Sequence, residues 1–185
     1  MKYKLLSVAL MAFASFTFAQ SKSSLWNATN KMNDKVALNE RLQLPENQVF
    51  ELNLNGLRTS LTTAPKRTTK GQSENILLIP TASGSLERYK IYENSIMEPG
   101  LAERYPEIKS YIGIGVDNPS ATVYFSVSPL GFKGMVLSAD KAAEFIEPIT
   151  TDLTTYTVYR KSDKAASLTP FECSVIDVIK PTEAS

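Results

Sequence analysis

The 185 residues suffice for one domain, and 43% hydrophobic against 21% charged residues mark globular rather than disordered material. A formal net charge of +1 gives no sign of the basic excess that nucleic acid or an anionic membrane surface calls for. The count of zero His excludes a Ser-His-Asp triad, a Cys-His pair and a His-ligated zinc built by this chain alone.

Met1 to Ala19 reads as a secretory signal. Lys2 and Lys4 are basic, Leu5 to Phe13 is an apolar run too short for a stop-transfer helix, and Thr17-Phe18-Ala19 suits cleavage before Gln20. The protein is therefore expected to be secreted. No Cys follows the apolar run, so a lipoprotein anchor is not indicated. Residues 20–48 form an N-terminal extension in which Trp26, Met32, Val36, Leu38 and Leu42 fit no period. Asn27-Ala28-Thr29 matches a glycosylation acceptor, which carries meaning only in a eukaryotic secretory route.

Residues 49–160 read as a β-rich domain. Phe50, Leu52 and Leu54 alternate with polar residues and predict a strand over Val49 to Asn55. Leu57, Leu61 and Ala64 have helical spacing, ended by Pro65. Pro65 to Glu74 is a polar, basic loop, with Lys66-Arg67 as a site where a protease could nick an exposed tip. Ile76 to Ile79 is a short strand stopped by Pro80. Glu87 to Glu93 places Tyr89 and Ile91 on one face, and Pro99 to Tyr105 reads as a short helix with Met97, Leu101 and Tyr105 as core positions. Ile112, Ile114 and Val116 alternate with small residues.

The clearest pattern follows. Ala121, Val123, Phe125 and Val127 alternate with Thr122, Tyr124 and Ser126, which predicts a strand with the first set buried. Pro129-Leu130-Gly131 turns it into a hairpin partner, Phe132 to Leu137. Phe145-Ile146 and Tyr156 to Val158 add two more short strands. Residues 161–185 read as linker and tail. The fold class expected is mainly β, an antiparallel sandwich or barrel-like domain with one or two short helices.

No Asp-Thr-Gly or Asp-Ser-Gly and no phosphate-cradling Gly-rich loop occurs. The 19 Asp plus Glu follow no spacing that singles out a catalytic pair. Several stretches carry a resemblance instead: Gly84-Ser85-Leu86-Glu87-Arg88-Tyr89, Glu93 through Met97-Glu98-Pro99, Leu101-Ala102-Glu103-Arg104-Tyr105-Pro106-Glu107-Ile108-Lys109, Gly113-Ile114-Gly115-Val116-Asp117, and Phe125-Ser126-Val127-Ser128-Pro129-Leu130-Gly131-Phe132. In order and spacing, over roughly Leu52 to Cys173, they resemble the N-terminal propeptide region of secreted bacterial reprolysin-like zinc metallopeptidases.

The resemblance implies a folding aid and temporary inhibitor of a metallopeptidase catalytic domain, supplied in cis or in trans. That domain would carry H-E-x-x-H-x-x-G-x-x-H and the zinc. This chain lacks both the motif and any His, so by itself it is expected to be no peptidase and to hold no cofactor. Cys173, the single Cys, would be a cysteine switch, its thiolate occupying the fourth position on the partner's zinc. A buried apolar thiol or a disulfide to a Cys elsewhere are the other readings of Cys173. The alternative function is a stand-alone exported β-sandwich that binds protein or glycan.

Overall fold

In the computed structural model, residues 24–29, 48–69 and 71–163 are described. Among them, nine antiparallel strands form one nearly closed, barrel-like sheet: β1 Trp26–Ala28, β2 Gln48–Leu52, β3 Ile76–Pro80, β4 Leu86–Glu93, β5 Lys109–Gly115, β6 Thr122–Ser128, β7 Gly131–Leu137, β8 Glu144–Pro148 and β9 Thr155–Arg160. Two helices, α1 Leu54–Leu61 and the shorter α2 Pro99–Arg104, and a 3-10 turn at Lys161–Asp163 complete the elements. The strand order is β1-β2-β9-β8-β7-β6-β5-β4-β3, and the two ends of that order, β1 and β3, approach each other. From β3 to β9 every neighbour in sequence is a neighbour in the sheet, an antiparallel meander whose β4–β5 connection carries α2.

The interior is set by strand alternation. Val123, Phe125 and Val127 are buried while Tyr124 stands outside, as the period-two pattern of β6 requires. Rings pack in sequence across the inside: Tyr111 stacks on Phe125 at 5.1 Å, Phe125 on Phe132 at 5.0 Å, and Trp26 meets both Phe132 and Tyr156 edge-on at 5.3 Å. Each such pair adds about 0.5–1.5 kcal/mol beyond burial of its area. Gly113 leaves room for this filling, since a Cβ there would stand 2.6 Å from Val123 Cγ1 and 2.7 Å from Ile91 Cδ1. Gly131 follows the Pro129-Leu130 turn at φ 89°, a backbone region that favours glycine.

Three expectations for the strands change. The strand predicted over Val49 to Asn55 stops at Leu52, because the Asn53 side chain accepts from the Gly56 N–H at 2.8 Å and caps α1. β1, inside the stretch that had no readable period, joins the sheet and sends Trp26 into the core; three residues are too few to show alternation. In β5 the inward positions are Tyr111 and Gly113, so Ile112 and Ile114 belong to the outer face. β9, the short strand expected at Tyr156 to Val158, is buried on both faces.

The polar loop after α1 is also tied down. Arg67 N donates to Glu93 O at 2.9 Å, and buried Ser73 donates from its hydroxyl to Ile91 O.

Candidate functional site

The two mouths of the barrel differ in chemistry. One is covered by α1, which buries Leu57 and Leu61 against the core while Arg58 Nη2 donates to Ser128 O at 2.9 Å. The opposite mouth is charged. Glu87, Tyr89 and Glu144 occupy inward register positions there, and Glu144 is only 2% exposed. Lys141, from the β7–β8 connection, donates to Glu87 Oε1 at 2.6 Å, and the Tyr89 hydroxyl donates to Glu87 Oε2 at 3.0 Å. Arg160 Nε stands 3.5 Å from Glu144 Oε1.

The hydrogen bond to Glu87 raises the Lys141 ammonium above its ordinary value. Burial, then Glu87, raises the Tyr89 phenol. The group is internally paired, Glu87 with Lys141 and Tyr89, and Glu144 with Arg160. Its signal in the sequence was Glu144 two places before Ile146, an acidic residue on the inward side of a strand.

A surface of different character lies over the β4–β5 connection, at the α1 end. Pro99 opens α2 and the Glu98 carboxylate caps it, accepting from Leu101 N at 3.1 Å. Yet α2 buries no residue. Met97, Leu101 and Tyr105, expected as core positions, are not core: Met97 is half-buried, and Leu101 and Tyr105 are 44% and 47% exposed. The cause is that α1 already fills this mouth with Leu57 and Leu61. A hollow of about 160 Å³, lined by Glu93, Ile96, Met97, Ala102 and Ile108 among others, runs beside α2. Ile96 is 77% exposed.

Ile96 also borders a second, open groove of about 360 Å³ on the outer face of β5, β6 and β7, with Tyr124, Lys133 and Met135. That groove belongs to a longer outward row in direct register: Tyr92, Ile112, Tyr124, Met135, Phe145 and Tyr159, one from each of β4 to β9. Its far end is ordered by stacking of Phe145 on Tyr159 at 5.6 Å. Helical spacing is the same for a buried face and for an exposed apolar one, so the sequence of α2 does not distinguish them.

Among the described residues no three His, Cys, Asp or Glu side chains form a group suited to a metal ion. Cys173 and residues 1–19 lie outside the described residues. Among the described residues no helix is long and apolar enough to cross a membrane. No family model, curated protein or solved structure matches the chain.

Proposed function

We propose that this chain is a propeptide-like domain, a folding aid and temporary inhibitor that docks on the catalytic domain of a secreted zinc metallopeptidase. The observation that carries the reading is the apolar surface formed by Ile96, Leu101, Tyr105 and Ile108 beside a barrel whose own core is already filled. Exposed apolar side chains grouped around one connection are characteristic of surfaces that meet another protein. The pattern similarity over Leu52 to Cys173 supplies the class of partner.

In this reading the barrel is the rigid body and the β4–β5 connection is the contact. Cys173 follows β9 in the chain, and its thiolate is the group offered to the partner's zinc. The zinc belongs to the partner, where it would activate the attacking water. The chain by itself has no peptidase activity and is exported.

The reading frame beyond Ser185 and the neighbouring genes should encode H-E-x-x-H-x-x-G-x-x-H. That catalytic domain, refolded with the purified protein, should recover several times the activity it recovers alone. A catalytic domain that refolds equally well without the protein, or the absence of any such reading frame, contradicts the proposal.

A further inference from the structure

A neighbouring cavity, of about 210 Å³, opens between α1 and the start of β5. Its apolar lining comes from Leu61, Tyr111 and Val127, all buried core residues. Its rim carries two cations, Arg58 and Lys109, against one carboxylate, Glu107. Arg58 spends one donor on Ser128 O and has others left. Among the described residues the Lys109 ammonium and the Tyr111 hydroxyl have no hydrogen-bond partner, and the Glu93 carboxylate, in register with Tyr111, acts on the phenol only through its charge. Tyr111 is 5% exposed as a residue, and its hydroxyl is not among the fully buried polar atoms that lack a partner, so the oxygen keeps contact with solvent.

We propose that this cavity binds a carboxylate carried next to a small apolar group. An apolar floor under two cations selects a ligand that is anionic at one end and apolar at the other, and a guanidinium fork matches a planar carboxylate. The volume lies below the roughly 300–1,000 Å³ of sites for drug-sized ligands, so the apolar part is one ring or one branched chain. Burial holds the Tyr111 phenol up at about 12, so it is a donor at neutral pH. The chemistry is shared by a free small organic acid and by a peptide's C-terminal carboxylate beside an apolar side chain. The proposal does not rest on the exposed apolar residues Ile96, Leu101, Tyr105 and Ile108, although Pro106 and Lys109 also line the hollow beside α2 and Tyr111 also lines the groove at Ile96.

The test is a two-dimensional NMR titration of the purified protein with phenylacetate, phenylacetamide, and a tripeptide ending in Phe with a free or an amidated terminus. Phenylacetate or the free-carboxyl peptide should shift the amides of Leu61, Lys109 and Val127 saturably. The matching neutral amide should bind about tenfold more weakly or worse, the loss of a charge-assisted contact. Binding by phenylacetate alone identifies a free acid, and preferential binding by the peptide identifies a chain terminus. Lys109→Gln, at an exposed position, should weaken binding about tenfold, and Tyr111→Phe, which keeps the ring, severalfold. No saturable shift with either carboxylate, equal binding of acid and amide, or unchanged affinity in both variants would overturn the proposal.

Discussion

Phe125 stands at the centre of the ring sequence, between Tyr111 and Phe132, and is 4% exposed. Phe125→Ala should lose about 3–5 kcal/mol, a large share of the ~5–15 kcal/mol that stabilises a domain. Urea denaturation followed by the emission of Trp26, the single Trp, measures it directly; a loss under about 1 kcal/mol would mean that the rings do not form one packed unit. The buried phenols give a second reading. Burial, followed by Glu93 for Tyr111 and Glu147 for Tyr159, raises both to about 12. A phenol is neutral when protonated, so a folded value above the unfolded value near 10 stabilises the fold fully below about pH 10. That contribution is lost as pH rises through about 12. Phenolate absorbance should therefore show a late step coinciding with loss of near-ultraviolet dichroism. Complete titration of all the tyrosines near pH 10 with the fold intact would contradict the burial assigned here.

The elements show where sequence pattern is sufficient and where it is not. β6 was legible because seven residues alternate without interruption and one face is wholly apolar. β5 was legible as a strand but not as to its face: the inward position between Tyr111 and the end of the strand is Gly113, so the small residue packs inside and the isoleucines outside. The α1 boundary was blurred because Leu54 continues the alternation of β2, while Asn53, the residue that ends it, is a cap. Asn53→Ala should cost about 1 kcal/mol, seen as a lower thermal midpoint. For α2 the helix was readable and its burial was not, since burial depends on whether a core vacancy faces it. Replacing both Ile96 and Leu101 with Asp should change stability by no more than about 0.5 kcal/mol per site. A drop of several kcal/mol would show these side chains packed after all.

Taken as a whole, the described molecule is a curled antiparallel sheet with one mouth covered by α1, paired charges at the other, and an apolar surface beside the first. The mainly β class follows from local alternation, and closure does not, because the approach of β1 to β3 joins parts of the chain remote in sequence. Candidate sites were the least legible part. Cys173 drew attention as the single thiol, whereas the surface around Ile96 is defined only by what the filled barrel leaves outside. The most direct measurement is inhibition of a reprolysin-like catalytic domain encoded in cis or beside this gene. Casein hydrolysis would be titrated with wild-type protein, the Ile96→Asp/Leu101→Asp double variant and Cys173→Ser, with melting followed in parallel. The account predicts saturable inhibition by wild type, about tenfold or greater weakening in the double variant at unchanged folded fraction, and weaker inhibition by Cys173→Ser, which would lack the proposed thiolate ligand to the partner's zinc. Absence of inhibition by folded wild-type protein, or equal inhibition by wild type and both variants, would contradict it.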